Sequence, residues 1–106
     1  MQFCIAIYEV TQGFPQNEMY GLTSQIRRSS ISIPSNIAEG NTRGYTAEYL
    51  HFLQIAFGSG AEIETQLLLA VKIGYINEDN YLKLNKEINS VMKMLNKLIR
   101  NIKTSA

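Results

Sequence analysis

Residues 81–102 read YLKLNKEINSVMKMLNKLIRNI, and within them Tyr81, Leu84, Ile88, Val91, Leu95, Leu98 and Ile102 recur at alternating steps of three and four. On an α-helix those steps return to one side of the cylinder, so the stretch predicts one long helix with a continuous apolar seam. A seam of this period packs against other helices at a shallow left-handed crossing, as helices in bundles do. A single helix cannot bury its own seam, and the rest of the chain must supply the partners.

Working back from that stretch, three punctuation points interrupt apolar patterns of helical spacing: Gly13-Phe14-Pro15, Gly40-Asn41-Thr42-Arg43-Gly44 and Gly74-Tyr75-Ile76-Asn77. Three breaks give four helices, and no strand alternation competes with them. Asn77, followed by Glu78 and Asp79, is suited to cap helix 4, and Thr46 with Glu48 is expected to do the same for helix 3. Gly40 and Gly74 stand where a left-handed residue would close helices 2 and 3. Short connections make neighbours antiparallel, so the expected fold is all-α, an up-and-down antiparallel four-helix bundle forming one domain over residues 1–106.

The helices differ in kind. Helix 1 is expected to be short, with Phe3, Ile7, Val10 and Phe14 covering one end of the bundle and leaving a groove at the other. Helix 2 carries Leu22, Ile26, Ile33 and Ile37 on one face, but Pro34 lacks the donor for the Ser30 carbonyl, which predicts a kink. Ser29, Ser30, Ser32, Ser35 and Asn36 are placed to bond freed carbonyls and keep that helix continuous. Helix 3 is apolar nearly all round, from Tyr49 and Leu50 through Phe57 to Val71. Such a helix must be covered on more than one side. A small bundle cannot surround its own helix, so Tyr49, Phe57, Gly58 and Gly60 are read as an interface between subunits, with the glycines admitting a second backbone.

Composition excludes several classes. Hydrophobic residues make up 45% and charged residues 18%, the balance of an ordinary globular chain. No apolar run approaches the ~18 to 20 residues that span a bilayer, and the opening MQFCIAIYEV lacks the basic segment of a signal peptide. A cytoplasmic protein with no membrane partner is expected. Cys4 is the only cysteine, which rules out an intramolecular disulfide and points to a small core residue.

Charge is segregated more than the net value of +1 suggests. Lys83, Lys86, Lys93, Lys97, Arg100 and Lys103 face one carboxylate, Glu87, so residues 83–106 carry +5 and the remainder −4. Lys83, Lys86, Lys93, Lys97 and Arg100 fall at helical steps of three, seven, four and three, a stripe beside the seam that could follow a phosphate backbone. The plainer account is a solvated face that keeps the bundle soluble. Arg27, Arg28 and Arg43 form a second candidate group for phosphate, against the alternative that Arg27 or Arg28 pairs with Glu39, Glu62 or Glu64 inside the protomer or at an interface.

Chemistry is poorly supplied. Glu48-Tyr49-Leu50-His51 has the Glu-x-x-His spacing of di-iron bundles, but those need matching carboxylates from facing helices, and His51 is the only histidine. Glu62 and Glu64 lie two apart and point to different faces. There is no phosphate-binding glycine loop and no nucleophile with a base beside it. Neither a catalytic site, a metal nor a cofactor is expected.

The stretches FP at 14–15, YGLTSQIRRSSISIPSNIAEG at 20–40 and EYLHFLQIAFGSGAEIETQLLLAVKIGYI at 48–76 resemble the four-helix-bundle family of proteins encoded in intervening sequences of bacterial 23S ribosomal RNA. That family includes accessory proteins of diversity-generating retroelements. The resemblance runs from about Phe14 to Ile76, and helix 4 agrees in its heptad pattern only. It implies a homo-oligomer, a ring-like pentamer, and, for the retroelement members, binding of nucleic acid and of a reverse transcriptase through basic surface. In the family the IRR, IPSNIAEG and GS-AE-E elements look structural. The chain departs from the family at its start, where relatives usually have a longer first helix with a tryptophan; no Trp is present here. A misassigned start codon and a truncated first helix both remain open, and either bears on the pentamer.

Together these readings predict a non-enzymatic oligomeric scaffold that binds RNA or DNA by charge and shape. The alternative is a structural oligomer that binds another protein through the groove beside helix 1.

Overall fold

The computed structural model describes residues 1–105. Four helices run in chain order: α1 Gln2–Thr11, α2 Leu22–Thr42, α3 Thr46–Lys72 and α4 Glu78–Ser105, with a 3-10 turn Gln16–Glu18 between the first two. Each packs on its chain neighbours, α2 on α3 most extensively and α3 on α4 next, and α1 reaches across to α4 to close the circuit. The result is an up-and-down bundle measuring 45 × 24 × 19 Å.

The seam of α4 does what its spacing predicts. Leu84, Ile88 and Leu95 are buried in one cluster with Ile26, Ile33, Leu53, Ile63 and Leu67, and Tyr81, Val91, Leu98 and Ile102 pack around them half-buried. Phe3 and Ile7 supply the contribution of α1. At ~1.5 Å per residue α1 is about 15 Å long beside an α4 of about 42 Å, so it covers only part of the bundle.

Two helix ends follow the expected pattern. Asn77 Oδ1 accepts the Asn80 backbone N–H at 2.7 Å and caps α4. Gly74 takes φ +85, its N–H donating to Val71 at 3.2 Å while Tyr75 N–H donates to Ala70 at 2.9 Å. That pair of bonds is the Schellman closure, which needs a residue without a Cβ penalty at the left-handed position.

Two others depart from it. Gly40 does not end α2; the helix runs on to Thr42, and the left-handed turn is made by Gly44, φ +81. Gly40 is buried, and a Cβ there would stand 2.9 Å from Phe52 Cβ and 3.0 Å from Tyr49 Cδ1, so its role is to let α3 come close. Thr46 does not cap α3 either: Tyr45 holds the cap position in extended geometry, with no side-chain hydrogen bond.

Helix α2 is continuous through Pro34. The serine cluster does not supply the partner expected for the stranded Ser30 carbonyl, which instead accepts from the Cys4 thiol of α1 at 3.1 Å. Ser30 Oγ bonds Arg27 O at 2.8 Å, and Asn36 Nδ2 reaches Ser32 O at 2.8 Å. Asn36 also donates to Ser32 Oγ, which meets the buried Ser59 hydroxyl of α3 at 2.8 Å, a polar clasp between the two most closely packed helices.

Candidate nucleic-acid interface

The seam of α4 faces inward, and the lysines stepped beside it are therefore turned away from the core. Lys83, Lys86, Lys93, Lys97 and Arg100 are all exposed, as is Lys103. None of the first five side chains makes an ion pair or hydrogen bond among the described residues. From Lys83 to Arg100 the rise along the helix is about 26 Å, the span of seven to eight phosphates on one strand of a duplex at ~3.4 Å each. Glu87, the carboxylate of this segment, is half-buried beside Met1 and Phe3 and lies off the stripe. The face is therefore a row of unneutralised cations on a rigid rod. Its effect is electrostatic.

The three arginines earlier in the chain are not brought together as one group. Arg27 Nε donates to Thr11 Oγ1 at 2.8 Å, its Nη2 approaches Tyr8 O at 3.5 Å, and its guanidinium lies 4.7 Å from the Tyr8 ring centroid. Within the chain, no pairing of Arg27 or Arg28 with Glu39, Glu62 or Glu64 is found among the described residues. Arg27 instead ties α2 to α1, and the ion pair to Glu39 is made by Arg43 at 2.8 Å, one turn away, with the Arg43 guanidinium 5.1 Å from the Phe52 ring. Arg28 is exposed and has no partner among the described residues.

The helix 3 residues read as an interface separate in the same way. Tyr49 and Phe57 are half-buried and pack on the chain's own core. Gly60 is buried, and a Cβ there would run into the Met92 sulfur of α4, so Gly60 serves the close contact of α3 with α4. Gly58 is exposed with nothing within 4 Å. Its neighbours on that side at heptad-like steps are Ile55, 39% exposed, and Leu69, 49% exposed, with Glu62 between them. Both belong to the all-round apolar pattern of the helix, which by itself does not say which of its sides its own bundle covers.

At the far end of α3 the 3-10 turn is anchored by Glu18. Its Oε1 accepts the Leu22 backbone N–H at 3.2 Å and its Oε2 accepts the Tyr75 hydroxyl at 2.7 Å, while Phe14 lies 5.4 Å from the Tyr75 ring. The Tyr75 hydroxyl, with help from the Leu22 N–H, holds the Glu18 carboxyl below its ordinary range, and the same bond raises Tyr75. His51 stands edge-on to Phe52, 5.6 Å between centroids, and no three histidine, cysteine or acidic side chains gather to hold a metal among the described residues. No helix among the described residues is long and apolar enough to cross a membrane.

Comparison with known proteins gives two findings. Residues 1–97 match the family described as 23S rRNA-intervening sequence protein. The fold is similar to the crystal structure of a protein of unknown function from the S23 ribosomal protein family of Bacteroides thetaiotaomicron, at 27% identity over 92% of each chain and a TM-score of 0.82. No curated protein matches the chain.

Proposed function

As the chain belongs to the 23S rRNA-intervening sequence protein family, we propose that it is a non-enzymatic oligomeric scaffold that binds RNA or DNA through the cationic face of α4. The observation that carries this reading is the exposed row Lys83, Lys86, Lys93, Lys97 and Arg100, free of carboxylate partners along one side of one helix. Cations at this spacing displace the counterions of a phosphate backbone, and binding then depends on charge and shape more than on sequence. Self-association would repeat the row. The surface that favours it is the outer side of α3, where Ile55, Leu69 and Ile73 stay exposed and Gly58 leaves room for a neighbouring backbone. The family resemblance suggests five copies, and a reverse transcriptase as the protein partner.

A second reading has its own observation. The seam between α1 and α2 is an apolar groove lined by Met1, Ile5, Ile31, Pro34 and Ala38. In that reading the complex is made of protein alone and the lysines serve solubility.

The test is a titration of labelled structured RNA and duplex DNA at two salt concentrations. Binding that weakens steeply with salt supports the α4 face, and no binding at low salt removes it in favour of the groove.

A further inference from the structure

Two arginines, two tyrosines and two hydroxyl side chains meet at a cleft that spacing along the chain does not foretell. Tyr8 of α1, Tyr20 on the turn before α2, and Thr23, Ser24, Arg27 and Arg28 at the start of α2 line an open depression of about 440 Å³, within the size range of small-molecule sites. Its lining carries two guanidiniums, no carboxylate and the exposed apolar side chains of Met19 and Ile31, and Glu18, on the turn just before it, is already held by Tyr75 and Leu22. Arg27 is fixed by Thr11 and held over Tyr8, so its guanidinium is a plane in a set position. Tyr20 is the opposite case, 96% exposed, its ring almost wholly in solvent. Thr23 is only 2% exposed, and its hydroxyl has no hydrogen-bond partner among the described residues. Arg28 is exposed and unpaired.

We infer that this cleft takes an unpaired nucleotide of a nucleic-acid strand, its base stacked on Tyr20 beside the Arg27–Tyr8 pair and its phosphate on Arg28. The charge of the lining calls for an anion, and flat tyrosine and guanidinium surfaces accept any base by stacking. A base inside a duplex cannot reach such a platform, so the cleft distinguishes single-stranded segments, bulges or ends from continuous helix. The α4 row has no such preference. This inference rests on the nucleic-acid reading above and adds strand state to it.

The experiment uses a single-stranded oligonucleotide carrying one 2-aminopurine, and the same strand annealed to its complement, against wild type, Tyr20→Ala, Tyr20→Phe, Arg28→Ala and a Lys86/Lys93/Lys97/Arg100→Ala variant. Tyr20→Ala is expected to weaken single-strand binding about tenfold and abolish the stacking change in 2-aminopurine fluorescence, leaving duplex affinity unchanged, and Tyr20→Phe to restore both. Arg28→Ala is expected to lower the salt slope for the single strand by about 0.7. Equal losses on single strand and duplex would overturn the inference, because the cleft would then be one more cationic surface. Unchanged single-strand binding in Tyr20→Ala, with binding lost in the α4 variant, would overturn it while the α4 reading stood. Absence of all binding in wild type would remove both.

Discussion

The Cys4 thiol donates to the Ser30 carbonyl at 3.1 Å, across 26 residues of sequence, and that carbonyl is the one Pro34 leaves without its helical donor. A helix interior carrying a proline has one acceptor too many, and in a buried position that acceptor must be satisfied from outside. Ser30 is fully buried. The lone cysteine and the lone helical proline are therefore one device, with α1 docked on α2 at the point where α2 has a free acceptor.

Cys4→Ala is expected to lower stability by about 1 to 3 kcal/mol, the range for stranding a buried polar group. In a Pro34→Ala background, where a backbone N–H is restored to the Ser30 carbonyl, the same change should cost markedly less. Chemical denaturation of the four proteins of this cycle measures the coupling, and additive losses would show the two residues to be independent.

The Glu18 to Tyr75 bond sets a pH dependence with a definite sign. Glu18 titrates lower in the folded chain than in the unfolded one, so its stabilising share is complete above the unfolded value of about 4.3 and is lost as pH falls through the folded value. Tyr75 titrates higher when folded, so its share is present below about pH 10 and is lost as pH rises beyond that. Thermal melts of wild type should decline on the acid side more steeply than those of Glu18→Gln, which keeps an acceptor but cannot titrate.

Gly58 and Gly60 should respond to alanine in opposite directions. At Gly60 the added Cβ collides with Met92, an overpacking expected to destabilise by about 1 to 3 kcal/mol unless the methionine swings aside. At Gly58 nothing stands in the way, and the gain in helix propensity should stabilise the protomer by up to about 1 kcal/mol. If copies pack over Gly58, the same substitution should also shift sedimentation toward smaller species.

Replacing Lys86, Lys93, Lys97 and Arg100 by alanine should reduce the slope of log affinity against log salt on duplex DNA by about 0.9 for each phosphate that is no longer neutralised. The melting temperature should barely change, since these side chains are exposed and unpaired. A large fall in melting temperature would instead assign them a structural role.

The legible parts of this fold are those decided within a few residues. The α4 seam, the Asn77 cap and the left-handed Gly74 depend on spacing and local backbone bonds, and sequence carries both. Gly40 misleads because a glycine that ends a helix and one that lets a neighbour approach look alike along the chain; the approach of Phe52 decides between them. Arg27, Cys4 and Tyr20 lie beyond reach for a related reason. Their surroundings are set by how α1 lies on α2, and neither segment shows that alone. For the α4 row, spacing is already visible along the chain, and the structure adds that the chain's own helices leave the face uncovered.

The circuit of helices also has a kinetic meaning. The packing of α2 on α3 and of α3 on α4 joins segments linked by short turns, whereas α1 must find α4 from the opposite end of the chain. That α1–α4 contact spans the greatest length of chain, and α1, the shortest helix, places the fewest side chains in the core to hold it. The element expected to open first under thermal fluctuation is therefore α1, which seals the core with Phe3 and Ile7, and its amides should be the least protected of the four helices in hydrogen exchange.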